Sequence, residues 1–485
     1  MPVFSQESYY WTYSQHLDLS YFDHPPMVAW LIWIGTNVFG NCAAGIRLGT
    51  FVCSLATVWF GVQLLREFGI DTKGQNAWIL LGIASPIFAM SHFLANPDPP
   101  LLCFWTLTML AMWRARGGSF GWWIVAGAAA GAALLSKYSA AFLSITGVAL
   151  FVADPQMRRQ LRRPAPYVAV LTAALVFLPV VWWNVANQFE SFRFQTAGRF
   201  ADGEFGWRWL GEMLGGQFGV LHPALAVLLP VALWWSLRRA RSSDARATWL
   251  LAFGLPLPLY MLANAVFIQV KLNWLVPAYV PLVMAIIVWW RESGIAERRP
   301  IAARRLALTL LLVPLALPLA PLIRLLPPGR GSSWTGWDEI AERAEIWEDR
   351  VDVEDGIEGN VFFFGADYRD AAQLWRNLRL YWDLEGEHEV VPGQPDSGEP
   401  TLAQNVISIR ALQFDHWTPP KERIGQDAIF VLPRPEQREL MVDEARRHFR
   451  TMEKVERVAI TRLGIHIVDA DIFVCRGYRG PDRRL

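Results

Sequence analysis

The feature that most constrains this chain is the recurrence of apolar stretches long enough to cross the roughly 30 Å hydrocarbon layer of a bilayer. They fall at Leu48–Leu65, Ala77–Leu94, Leu101–Trp113, Trp122–Leu135, Ala140–Ala153, Tyr167–Val185, Pro223–Leu237, Trp249–Phe267, Trp274–Trp290 and Leu306–Leu326. Lipid leaves no partner for an open backbone, so ten such spans predict a polytopic α-helical membrane protein. A further segment, Val28–Phe39, is short enough to lie at the interface instead. Composition agrees: of 485 residues, 53% are hydrophobic, 13% aromatic and only 18% charged, which excludes an ordinary water-soluble enzyme. Lys plus Arg total 45 against 44 Asp plus Glu, so no basic surface is available to hold a nucleic acid.

The loops set the orientation, because Lys and Arg concentrate on the cytoplasmic side of short connections. Alternate loops carry Arg66 and Lys73; Arg114 and Arg116; Arg158, Arg159, Arg162 and Arg163; Arg238, Arg239, Arg241 and Arg246; and Arg291, Arg298, Arg299, Arg304 and Arg305, seventeen in all. The opposite side holds six: Arg47, Lys137, Arg193, Arg199, Arg208 and Lys271. With forty Arg to five Lys, the composition is that of a GC-rich bacterial genome. The reading is therefore a multi-pass protein of the bacterial inner membrane, residues 1–326, with an external first loop over 1–27. That loop contains no Lys or Arg and shows no signal peptide, which leads to the expectation that Met1 is an internal methionine preceded by one more helix in the complete gene.

From residue 327 onward the chain turns polar, so 327–485 reads as a periplasmic domain. A helical acidic run Asp338–Glu348, the apolar Val361-Phe362-Phe363-Phe364-Gly365, a helical Asp370–Leu380, and strand-like Ala428–Leu432 and Ile465–Val468 predict a small α/β fold that positions an acceptor or covers the loops. Gly365 followed by Asp367-Tyr368-Arg369 resembles a phosphate turn only loosely, since neither glycine-rich phosphate motif is present. Cys42, Cys53, Cys103 and Cys475 lack the spacing of a zinc site or a disulfide framework.

Charged residues at membrane depth or in short outer loops are costly, so each is a functional candidate. The first loop reads Ser5-Gln6-Glu7-Ser8-Tyr9-Tyr10-Trp11 and later Tyr21-Phe22-Asp23-His24-Pro25-Pro26. Its rings are also compatible with an interfacial aromatic belt. The next outer turn is Asn96-Pro97-Asp98-Pro99-Pro100, where Asp98 also suits a helix cap, and Leu134-Leu135-Ser136-Lys137-Tyr138 carries a lysine that also suits snorkelling. Lys271-Leu272-Asn273-Trp274 opens another span from outside. Carboxylates Glu7 and Asp98 can take a proton from a hydroxyl. Cations Arg47, Lys137, His24 and Lys271 can neutralise a lipid phosphate. Tyr9, Tyr10, Asp23, Asn273 and Trp274 can hold a sugar.

The ordered series Glu7–Trp11, Phe22–Pro26, Arg47-Leu48, Pro97-Asp98, Leu134–Tyr138 and Lys271–Pro277 resembles bacterial members of glycosyltransferase family 39, the protein O-mannosyltransferase-like group that is similar to lipid A aminoarabinose transferases. The resemblance implies the type-C glycosyltransferase fold and inverting transfer of a sugar from a polyprenyl phosphate, undecaprenyl phosphate in bacteria, to an external lipid A, glycan or protein. It implies Glu7 or Asp98 as the catalytic base, with Glu7 favoured. The family begins its first loop with an Asp-Glu pair where this chain has Gln6-Glu7, and relatives carry a lysine at the position of His24. Arg47 and Lys137 are the stronger phosphate partners. No cofactor is required, since the lipid phosphate is itself an adequate leaving group, and a divalent ion is compatible only as a structural extra. The competing readings are a transporter or lipid flippase, which ought to bury ionisable residues at mid-membrane and repeat its halves, and a catalytically silent relative.

Overall fold

The computed structural model describes residues 2–198, 203–312, 335–355, 361–385, 401–402, 412–417 and 420–481. The chain divides into two bodies. One comprises Met1–His16, Phe39–Ile46 and Leu319–Leu485, the other Leu17–Val38 and Arg47–Pro318. Much of the predicted span Leu306–Leu326, and Arg199 of the outer loops, lie outside the described residues.

The second body is helical. Among the described residues, Ala43–Glu67, Ala165–Ala186, Ala245–Asn264 and Leu272–Glu292 are each long and apolar enough to cross a membrane. Trp207–Leu221 and Pro223–Arg241 form a further pair bent by 107°. The bend falls at His222, which takes φ +87° and whose imidazole Nδ1 accepts from Ala224 N at 3.2 Å, and Pro223 starts the second arm without a donor to lose. Helix Leu272–Glu292 is 83% buried over its apolar window and is the central element. Its neighbours approach closely because small residues face them: a Cβ on Gly254 would meet Leu282 Cδ2 at 2.8 Å. Helices Asp98–Ala115 and Phe120–Ser136 pack as an antiparallel pair, and Gly127 of the second lies against the Ala169 backbone, where a Cβ would stand 2.2 Å from its oxygen.

The loops predicted to share one side are tied to each other. Arg114 pairs with Glu67 at 2.9 Å and Arg291 with Asp71 at 2.7 Å. Arg246 reaches Glu292 at 2.6 Å and donates to Phe68 O at 3.1 Å, and Arg116 meets Asp154 at 2.5 Å. All five basic loops are thus chained together at one end of the helices, so the charge pattern in the sequence is a real face of the molecule.

In the first body, strands β1 (Val361–Gly365), β2 (Thr401–Leu402), β3 (Asp427–Pro433), β4 (Thr451–Arg462) and β5 (Ile465–Arg476) form one sheet in the order β2-β1-β3-β5-β4. β1 runs parallel to β2 and β3, while β5 is antiparallel to β3 and β4. Stacked rings fill one face, with Phe364 and Phe430 at 4.5 Å and Phe449 against Phe364 at 5.6 Å. The β4–β5 hairpin turns at Leu463 and Gly464, both with positive φ, the geometry that matches strand twist in a two-residue turn. Helix Tyr368–Glu385 follows β1 through Gly365, where any Cβ would meet Ala371 N at 2.9 Å. Asp367 caps this helix by accepting from Arg369 N and Asp370 N, so the turn that loosely resembled a phosphate loop is filled by its own carboxylate.

Candidate functional site

Asp98 opens helix Asp98–Ala115 and is 2% exposed. Pro97 precedes it and Pro99 and Pro100 follow, which places the prolines in the first turn, where no backbone donor is needed. Asn96 Oδ1 accepts from Asp98 N at 2.8 Å, fixing the turn. Lys137, at the C-cap of Phe120–Ser136, donates from Nζ to Asp98 Oδ1 at 2.6 Å. Asn273, in the short helix Leu272–Leu275 that begins the central span, donates from Nδ2 to Asp98 Oδ2 at 2.9 Å. Three motifs far apart in sequence therefore converge on one buried carboxylate, and two oxygens receive two donors.

The second body also orders the loop over Leu17–Pro26. Trp183 Nε1 donates to Asp18 Oδ2 at 2.7 Å, Gln195 Nε2 donates to Asp23 O at 2.5 Å, and Phe22 packs on Phe194 at 4.8 Å. Asp23 and His24 are both largely buried and 3.9 Å apart. Tyr138, next to Lys137, shares a 2.8 Å hydrogen bond with Ser191 and lies within electrostatic reach of Asp23. Arg47 is half-buried near the start of Ala43–Glu67, Lys271 is exposed at the N-cap of Leu272–Leu275, and Trp274 is half-buried behind it.

Glu7, Tyr9 and Tyr10 belong to the other body. Glu7 is 1% exposed, on helix Ser5–Gln15, and its Oε2 accepts from Phe4 N at 2.8 Å, half of a capping box. Tyr9 is fully buried, with its hydroxyl accepting from Tyr13 Oη at 3.0 Å and Gln413 N at 3.2 Å. Tyr10 packs edge-on against Tyr13 at 5.7 Å. Residues invisible to motif reasoning hold this helix. Ser8 donates to Gln373 Oε1 at 3.0 Å, and Gln373 Nε2 donates to Val3 O at 3.1 Å. Trp11 Nε1 donates to Asn41 Oδ1 at 3.0 Å, and Arg376 donates to Asn41 O at 3.2 Å. Gln373 and Arg376 lie in a run, Asp370–Leu380, read only as helical; their burial, 2% and 7% exposed, is the one signal, and it exists only in the fold.

Among the described residues, the one group of His, Cys, Asp or Glu side chains close enough to share a metal ion is on helix Trp337–Asp355 and does not include Asp98.

A multi-helix membrane body in which Lys137 and Asn273 from separate loops meet on Asp98, joined in sequence to a small mixed-sheet domain, is a type-C glycosyltransferase-like architecture. It shares the fold of ArnT from Cupriavidus metallidurans, with a TM-score of 0.56 to the apo crystal structure at 14% identity over 96% of this chain and 92% of that one. The TM-score to the same protein bound to undecaprenyl phosphate is 0.54, at 15% identity. Residues 23–183 match the family described as dolichyl-phosphate-mannose-protein mannosyltransferase. The chain is 31% identical over 288 residues to the lipid A galacturonosyltransferase RgtD of Rhizobium johnstonii, covering 57% of this chain and 58% of that protein. It is 30% identical over 300 residues to an undecaprenyl phosphate-alpha-4-amino-4-deoxy-L-arabinose arabinosyl transferase of Pseudomonas aeruginosa, covering 56% and 51%. The chain thus spans a little more than half the length of these curated relatives. The resemblance drawn from the ordered motifs holds.

Proposed function

We propose that this protein is an integral membrane glycosyltransferase that moves a sugar from undecaprenyl phosphate to lipid A, with inversion at the anomeric carbon. The observation that carries the reading is the convergence of Lys137 and Asn273 on Asp98, in a chain whose relatives are named as lipid A and undecaprenyl-phosphate sugar transferases. The ten spans and the direction of threading belong to the same proposal: the chained basic loops face the cytoplasm, and the Asp98 end and the sheet domain face the periplasm.

In this mechanism the acceptor hydroxyl attacks the anomeric carbon while the bond from that carbon to the phosphate oxygen breaks. The hydroxyl proton passes to a carboxylate, and the lipid phosphate departs with the bonding pair. Lys137, oriented by Asp98, and Arg47 neutralise that phosphate, with His24 and Lys271 as further donors. Asp98 already receives two donors, so its part is to hold Lys137 in place. Glu7 is then the base, and Tyr9, Tyr10, Asp23, Asn273 and Trp274 shape the sugar and acceptor surroundings. No cofactor enters the displacement.

Membranes containing the chain, incubated with radiolabelled undecaprenyl-phosphate sugars and lipid A, are expected to transfer label. Glu7→Gln keeps an oxygen that can accept from Phe4 N, so it separates the base from the cap: transfer is expected to fall at least a hundredfold at unchanged thermal stability. Full transfer by that variant removes Glu7 as the base. Absence of transfer by the unaltered chain with every donor tried, alongside retained binding of undecaprenyl phosphate, would make it a silent carrier-binding relative.

A further inference from the structure

The stretch that carries Lys271, Asn273 and Trp274 is held along one helix. Trp207–Leu221 turns away from Pro223–Arg241 by 107°, and hydrogen bonds join it, in order, to the residues leading into the central span. Gly206 N, just before its first turn, donates to Val266 O at 2.8 Å. Gln269 Nε2 donates to Glu212 Oε2 at 3.3 Å, and Gln217 Nε2 donates to Leu272 O at 3.4 Å. Gly216 lets the helix come this near, since a Cβ there would stand 2.4 Å from Leu272 Cδ2 and push that side chain aside. Glu212 and Gln269 are exposed, and Arg208 also meets Glu212 at 2.8 Å, so water and a second partner compete for their bond. Gln217 is half-buried, and its Oε1 accepts from the hydroxyl of Tyr279, which is 4% exposed and lies further along the central span.

With its oxygen engaged by Tyr279, the Gln217 amide presents its nitrogen to Leu272. Leu272 O belongs to the peptide unit that ends at the nitrogen of Asn273, and that unit is planar. Fixing the carbonyl therefore fixes the plane from which the Asn273 side chain leaves. Asn273 Nδ2 donates to Asp98 Oδ2 at 2.9 Å, while Lys137 Nζ holds the other oxygen at 2.6 Å. We infer that Gln217 is a positioning residue for the transfer site: it holds the Leu272–Asn273 peptide so that Asn273 meets Asp98, and through Asp98 it sets where Lys137 stands. Its bearing on sugar transfer rests on the transferase reading, whereas the tether itself does not.

The test uses the full chain in detergent and three altered proteins. Gln217→Leu combined with Tyr279→Phe removes the tether without leaving a buried hydroxyl unanswered; Asn273→Ala removes the group it positions; the third protein carries all of these changes. Amide exchange read by mass spectrometry follows the tether without any activity. Residues 269–276 are expected to exchange about fivefold faster in the Gln217→Leu/Tyr279→Phe protein, with β3, in the other body, protected as before. Transfer from a radiolabelled undecaprenyl-phosphate sugar to lipid A is expected to lose about tenfold or more in kcat at nearly unchanged KM. That loss is expected to vanish in the Asn273→Ala background, because a residue acting through Asn273 then has nothing left to place. Exchange over 269–276 at the rate of the unaltered chain would overturn the tether, and losses of transfer that simply add would overturn the positioning role. Should the unaltered chain transfer no label, the transferase reading fails by itself, and the thermal midpoints of the same proteins decide the tether: a combined loss smaller than the sum supports it, and a strictly additive one overturns it.

Discussion

Lys137 reaches Asp98 across 39 residues of sequence, Nζ to Oδ1 at 2.6 Å, with the two side chains 13% and 3% exposed. Breaking such a pair from one side leaves a buried charge unanswered, at a cost of about 3–5 kcal/mol, whereas replacing both partners with groups of similar shape is often near neutral. Asp98→Asn and Lys137→Met are each expected to lower the thermal midpoint of the detergent-solubilised protein, and the double variant is expected to recover most of the loss while remaining inactive in transfer. Additive losses in the double variant would show that the two residues are not coupled.

The helix bearing Glu7 depends on Gln373, which is 2% exposed and serves Ser8 and Val3 at once. Leucine at that position leaves a hydroxyl and a carbonyl buried without partners, worth about 1–3 kcal/mol each. Gln373→Leu is therefore expected to loosen the helix and speed thermolysin cleavage at the exposed Leu17 and Leu19, read by timed gel electrophoresis. Cleavage at the rate of the unaltered chain would mean that the ring packing of Trp11 and Tyr13 on Trp375 and Trp417 suffices to hold it.

Periodicity and local chemistry made part of this structure legible in advance. The apolar helices and the strands at Val361–Gly365 and Ala428–Leu432 follow from burial, which sequence records directly, and the linked basic loops from their local excess of arginine. β4 did not show itself, because Thr451–Arg462 alternates charged residues with few apolar ones and earns its place only by pairing along β5. The bend at His222 was equally hidden, since hydropathy registers Pro223–Leu237 as a span and says nothing of the 107° turn before it. Asp98, Lys137 and Asn273 each stood out as a charged or amide group in an outer turn, but that all three meet on a single carboxylate is a tertiary fact. Gln373 and Arg376 were missed for the same reason: a polar residue on a soluble helix looks solvated until the fold buries it.

The chained basic loops give the orientation a direct check. Single cysteines at Arg158 and Lys271 fall on opposite faces of the proposed threading, and Cys42, which is exposed, must first be replaced by serine. In whole cells a membrane-impermeant maleimide is expected to label Lys271→Cys and spare Arg158→Cys until the membrane is opened. Labelling of position 158 in intact cells would reverse the threading, and with it the assignment of Asp98 to the periplasmic end.

Glu348 supplies a pH dependence whose sign is fixed by the direction of its shift. Burial first, and then the like charges of Glu345, Asp352 and Asp349, push its carboxyl from the ordinary 4.5 up to about 8 in the folded chain. Between those limits the native state binds the proton more tightly than the unfolded state does, so the derivative of unfolding free energy with pH is negative. Stability contributed by this residue is greatest near pH 4.5, declines as the pH rises toward 8, and stays at its lowest above that. The full excursion is about 3–5 kcal/mol, carried by Glu348 against Glu345, Asp349 and Asp352. Thermal unfolding of the chain between pH 6 and pH 9 should therefore show a midpoint that falls with rising pH. Glu348→Gln has no proton to lose and removes the repulsion, so its profile is expected to be flatter and to lie above that of the unaltered chain at the alkaline end. Parallel profiles for the two proteins would mean that another group governs the decline and that Glu348 is ionised throughout.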